Sequence, residues 1–309
     1  WLAASQSQVP LYGGVFLLFA VSSFFIPARL AMIPDLVSKE DLAKANALFT
    51  TSGMIGATII VLLGALLVEW IGAVRSCWVN AVSYAASAFF IAPIVRTPRH
   101  PEAAQQQTAG HIFHEIHEGI QELWRNHSTR LVISLLGVLM AGAGISVVVG
   151  TVMVQKALGS ITKDLGFLSL WLGIGMLGGT MAYGRWGTKR SKPRIVGLSF
   201  LGCGASLALF VYTVVTLRSG VAASGTMVLL GICISPVGII TNTLVHGAHP
   251  ERLHGRIFSS LGVVVNLSLV LSMLAGGWLA DHWSGVGLLW GVCLLFALTG
   301  TALLYYLRK

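Results

Sequence analysis

Apolar residues in this 309-residue chain come in long unbroken runs, with the charged residues gathered between them. Nine runs of roughly 19 to 26 residues can be drawn, each about long enough to cross a hydrocarbon core of about 30 Å at 1.5 Å per residue. They predict membrane helices over Leu11 to Met32, Ala43 to Val68, Ser76 to Val95, Leu131 to Val154, Leu165 to Tyr183, Ile195 to Leu217, Ala223 to Leu244, Ile257 to Leu279 and Val286 to Leu307. Phe24 to Leu48 shows the change of pattern most sharply. There Pro27 and Pro34 bracket Arg29, and Asp35, Lys39, Glu40, Asp41 and Lys44 follow at once, so the stretch reads as a hairpin between two membrane helices.

One connection is long and polar, Arg96 to Arg130, and it divides the chain into three segments. Residues 1–95 hold three helices of one bundle, 96–130 form an inter-bundle loop, and 131–309 form a six-helix bundle. Within the loop Ile112, Ile116, Ile120, Leu123 and Trp124 recur at helical spacing opposite charged residues, which predicts an interfacial amphipathic helix. His111, His114 and His117 share that helix at three-residue steps with Glu115 and Glu118. Such a cluster could hold a metal or sense pH, but solvated side chains paired along a polar face are the commoner outcome, and no metal or cofactor is expected.

If alternate connections lie on one side, one set carries sixteen of the 20 Lys and Arg, and the other carries only Arg75, Lys156, Lys163 and Arg218. The positive-inside rule makes the first set cytoplasmic, together with the C-terminus. This predicts a multi-pass protein of the cell (inner) membrane, with the Phe24 to Leu48 hairpin on the cytoplasmic side. Trp1 then lies outside. The chain starts with no Met, no basic n-region and no cleavage signal, so an N-terminal truncation by an odd number of helices is expected.

Composition sets the class. Hydrophobic residues make up 55% of the chain and charged residues only 10%, against about 25% charged in soluble proteins, and the mean hydropathy is +0.80. Nine helices of this kind cannot be coated by the polar sequence that remains, which excludes a soluble globule. The net charge of +9 does not point to nucleic acid, because its basic residues occupy the connections. Cys77, Cys203, Cys233 and Cys293 fall in or beside apolar runs without disulfide or metal spacing. Neither a Gly-x-Ser-x-Gly elbow nor a phosphate-binding loop is found, and the neighbouring carboxylates Glu40-Asp41 and Glu115/Glu118 fall in connections, so no enzyme is expected.

Several patches resemble the major facilitator superfamily, and within it the enterobactin-exporter and macrolide-efflux type of drug exporter. Pro27, Ala28, Ile33, Pro34, Leu36, Val37, Leu42, Ala45 and Asn46 look like that family's link between its fourth and fifth helices. Glu115, Glu118, Gly119, Ile120 and Trp124 look like its lead-in to the seventh helix, and Gly184, Arg185, Gly187, Lys189 and Arg190 resemble its second basic loop. His249 to Arg252 with Gly255 and Arg256 resemble the connection before its eleventh helix. Ile59 and Ile60 stand where the family's antiporter signature has Gly-Pro. The resemblance implies a two-bundle, all-α membrane fold of which nine of twelve helices are present, the first three here being the fourth to sixth. It implies a monomeric secondary transporter in the lipid bilayer, exporting a small amphipathic molecule, drug-like or siderophore-like, by alternating access. A lysophospholipid carrier of the same fold, favoured by Lys44, Ala45 and Asn46, is the alternative; a membrane scaffold or membrane enzyme is the alternative of another class.

Alternating access needs charged latches at the faces and a polar cavity between bundles. Arg29, Asp35, Arg185 and Arg256 are the cytoplasmic gate candidates. Polar side chains within apolar runs are the cavity candidates: Asn46, Thr50, Asn80, Tyr84, Asn242, His246 and Asn266. Asn46 and Asn80 should lie at opposite membrane faces. Glu69, Asp164 and Asp281 fall at helix ends and none of the predicted helices has a carboxylate in its middle, so a coupling proton would be carried by the absent helices or by His246.

Overall fold

An apolar run placed in lipid must satisfy every backbone N–H and C=O internally, which the α-helix does within a single segment. The computed structural model describes residues 8–22, 25, 32–33, 36–38, 41–93, 121, 124, 127–159, 162–187, 190–248 and 254–306, and among these it is all-α. Nine long helices are described: α1 Gln8–Ser22, α2 Leu42–Ile71, α3 Ala73–Ile91, α4 His127–Leu158, α5 Thr162–Ala182, α6 Lys192–Val215, α7 Gly220–Ala248, α8 His254–His282 and α9 Gly285–Tyr306. They fall into two compact units, Trp1–Gln106 and Gln107–Lys309.

Six helices of 22 to 30 residues, all in the second unit, are long and apolar enough to cross a membrane. In the first unit the described apolar stretches are shorter, Gly13–Ser22 and Ile59–Ile71. Helix α3 is diluted by Arg75, Ser76, Asn80 and three further serines or tyrosine, which is why it falls below the rest. α2 and α3 are separated by Gly72 alone, where the sequence pattern predicts a longer connection. Its φ of +81° lets the backbone reverse, a conformation that costs other residues. The exposed surface is what a lipid-facing protein presents: Val221 is 86% exposed and Phe16, Trp70, Phe89 and Met181 are each 76% exposed. In water such surfaces would be aggregation patches.

The six-helix unit has a buried core of Leu139, Val154, Phe200, Leu207, Phe210, Ile240, Leu289 and Phe296 among others. Its most extensive helix pairings are α5 with α7, α4 with α8, α6 with α9, α6 with α7, α4 with α9 and α4 with α7. Exchanging α4, α5 and α6 for α7, α8 and α9 maps this set onto itself. Three helices are an odd number, so the second triplet enters the membrane from the opposite side to the first, and the unit is an inverted repeat.

The matched pairings use the same device. Between α5 and α7, a Cβ on Gly179 would come within 2.6 Å of the Ile232 carbonyl and one on Gly231 within 2.7 Å of the Met176 amide. Between α4 and α8, a Cβ on Gly276 would approach the Ile145 Cα at 3.1 Å. Only glycine lets these backbones meet. Each pairing also carries a hydroxyl hydrogen bond: Thr180 and Ser235 share one at 2.7 Å, and Ser272 donates to the Met140 carbonyl at 3.1 Å. Thr180 and Ser272 stand the same number of residues after the starts of their helices. Pro236 lies inside α7 and has no N–H to return to Ile232, the residue whose carbonyl faces Gly179.

Candidate functional site

The sequence-predicted residues are dispersed. Arg29 and Asp35 lie outside the described residues, as do His111, His114 and His117. Asn46 and Thr50 belong to α2, His246 to α7 and Arg256 to α8, with side chains outside the described set. In α3, Asn80 and Tyr84 are exposed and four residues apart, so they share a face. Asn242 on α7 and Asn266 on α8 are exposed on the six-helix unit. The Asn266 amide is already engaged, donating to the Gly262 carbonyl at 2.9 Å.

Arg185 sits where the helix predicted to end at Tyr183 continues as a π-helical turn, Tyr183–Gly187. Arg185 and Trp186 of that turn are exposed, and the guanidinium lies 5.7 Å from the Trp186 ring centroid, within cation–π range. Neither Asn242, Asn266 nor Arg185 lines the hollow described next.

That hollow is a cleft of about 380 Å³ between α4, α5 and α7, floored by Leu207 and Phe210 of α6 and by Leu289 and Phe296 of α9. Its volume lies in the range that holds small organic ligands. The walls are almost wholly apolar, with Met227, Leu230 and Ile234 from α7 and Leu165, Leu168 and Leu172 from α5. Three hydroxyls interrupt them: Ser146, Thr151 and Ser169. Thr151 is satisfied within its own helix, donating to the Val147 carbonyl at 2.6 Å. Ser146 differs, because its Oγ is buried without a hydrogen-bond partner among the described residues.

A buried hydroxyl without a partner costs about 1–3 kcal/mol, which sets Ser146 apart from Thr151 in the same cleft. The lining residues of the cleft include no Cys, His, Lys, Arg, Asp or Glu, so its polar chemistry is that of the three hydroxyls. Sequence reasoning missed Ser146 and Ser169, since a serine in an apolar helix usually bonds back to its own backbone and looks the same whether or not it does.

Residues 1–272 match the family model described as Major Facilitator Superfamily. No curated protein matches the chain. The matched residues take in the first unit and all of the second as far as the middle of α8. Apolar helices in a lipid-facing unit built as an inverted repeat agree with that match, and the chain belongs to the major facilitator superfamily, whose members are multi-pass membrane transporters of small molecules.

Proposed function

We propose that the protein is a secondary exporter of a small amphipathic solute, drug-like or siderophore-like, working by alternating access in the inner membrane with its basic connections and C-terminus cytoplasmic. The observation that carries this reading is the unpartnered Ser146 hydroxyl in the apolar cleft between α4, α5 and α7. An amphipathic solute would give the hydroxyl its missing partner and lay its apolar body along Met227, Leu230 and Ile234. In this scheme 1–95 and 131–309 are the two moving bundles, linked by 96–130, and the chain acts as a monomer. Asn46, Thr50, Asn80, Tyr84, Asn242 and Asn266 are the polar candidates for contact with solute, with Asn46 and Asn80 at opposite membrane faces rather than in one site. Arg29, Asp35, Arg185 and Arg256 close it at the cytoplasmic face. A coupling proton would be carried by a carboxylate of further helices or by His246, since every described carboxylate stands at or beside a helix end.

Export from cells loaded with an amphipathic fluorescent dye tests the reading. Cells carrying the chain should retain less dye than control cells, and Ser146→Val should weaken apparent affinity roughly 3- to 10-fold, the worth of one hydrogen bond. Retention equal to the control, or transport unchanged by Ser146→Val, would remove the support for this site.

A further inference from the structure

A second hollow, of about 640 Å³, lies at the end of the six-helix unit where α4 and α8 finish and the chain turns from α6 into α7. One wall is apolar, formed by Val148, Val149, Val152 and Val286. At its rim stand Lys156, Arg218 and Asp281. Among the described residues no ion pair within 4 Å joins them, so both cations present uncommitted charge to the same space.

Two facts make this more than a chance grouping. First, only four of the 20 Lys and Arg lie on this side of the chain, the side from which basic residues are depleted, and two of those four line one pocket. A residue kept against that bias is not marking topology. Second, Arg218 has a φ of +47°, and among the described residues it is the sole non-glycine with a positive φ. The position follows α6, where a helix ends in the left-handed conformation and glycine is the residue that adopts it without strain. An arginine held there keeps its guanidinium at the pocket mouth despite the backbone cost.

We infer that this pocket binds the phosphate head of an amphiphile, with Lys156 and Arg218 on the phosphate and the apolar body along the valine wall. An ammonium and a guanidinium lining one hollow suit a phosphate with several acceptor oxygens. Apolar walls reduce screening and strengthen the attraction. Asp281 lowers the net charge of the site and weakens its hold on anions, which suits a site that loads and unloads.

The test is a titration of the purified full chain, in uncharged detergent, with short-chain phosphatidylglycerol, followed by calorimetry. Lys156→Ala and Arg218→Gly should each weaken binding about tenfold or more, and Asp281→Asn should tighten it several-fold. Arg218→Gly should leave the thermal stability of the unliganded chain unchanged or raised, because glycine suits that φ, so its loss of affinity cannot be laid to misfolding. A monoacylglycerol of matched chain length, which lacks the phosphate, should not compete. Competition by glycerol phosphate as effective as that by the lipid would assign the site to a free phosphate solute, and competition by the lipid alone would assign it to the bilayer. Unchanged affinity in Lys156→Ala and Arg218→Gly, equal binding of the uncharged analogue, or weaker binding in Asp281→Asn would each overturn the proposal.

Discussion

A hydroxyl in a membrane helix has an easy escape from hydrocarbon, since it can fold back on the carbonyl one turn earlier. Thr241 does so to Val237 at 2.7 Å, Thr243 to Ile239 at 2.8 Å and Ser268 to Val264 at 2.8 Å. Ser146 does not, and that single difference is what the proposed solute contact rests on. Charge at the membrane edge follows its own local rule. At the start of α2 the Lys44 ammonium lies 2.8 Å from Asp41, and the Ser38 hydroxyl donates to the same carboxylate at 3.1 Å. Lys44 first, and then Ser38, hold the Asp41 carboxyl below the ordinary aspartate range. A depressed value means that the contribution to stability is present above the ordinary range and is lost as pH falls through the lowered value. Both side chains are largely exposed, so the effect is small. In Lys44→Ala the Asp41 midpoint, followed by carboxyl carbon shifts in NMR, should rise toward the ordinary range; an unchanged midpoint would deny Lys44 its part. At this scale the sequence is only half informative. It singles out Asn266 and passes over Ser146, though both are polar residues in apolar helices. It cannot say that the first is already engaged and the second is not.

At the scale of elements the glycines carry the packing. Gly231 and Gly238 occupy the same helix, and both look like small residues tolerated in lipid, yet a Cβ on Gly231 would press on the Leu172 carbonyl and the Met176 amide, whereas one on Gly238 would meet nothing within 4 Å. Gly231→Ala should therefore cost about 1–3 kcal/mol by forcing α5 and α7 apart, and Gly238→Ala should be neutral or gain up to about 1 kcal/mol from helix propensity. Thermal unfolding in detergent distinguishes them, and equal melting temperatures would contradict the close pairing. The helices themselves were legible because a run of apolar residues leaves the backbone no alternative in a membrane. Their ends were less so. α2 and α3 meet at Gly72, because a single residue at positive φ suffices where the sequence pattern predicts a connection. The π-helical turn at Tyr183–Gly187 carries the helix past Tyr183 into Gly184 and Arg185, where the apolar pattern breaks and predicts a loop.

At the scale of the molecule, the six-helix unit is two inverted triplets, and the matched hydrogen bonds of Thr180 and Ser272 show that the repeat extends to the contacts which hold it together. Sequence pattern revealed the number of helices but not which pair with which, because pairing depends on where backbones can approach, and glycines are scattered through all six. An inverted repeat can present equivalent packing toward either side of the membrane, which is the property alternating access requires. On the proposed alternating-access cycle, position 146 would report which side is open. In a chain whose native cysteines Cys77, Cys203, Cys233 and Cys293 are replaced by alanine, Ser146→Cys should react with a membrane-impermeant thiol reagent from one side at rest, and saturating solute should shift reaction toward the other. Labelling from both sides at once, with rates indifferent to solute, would contradict the account.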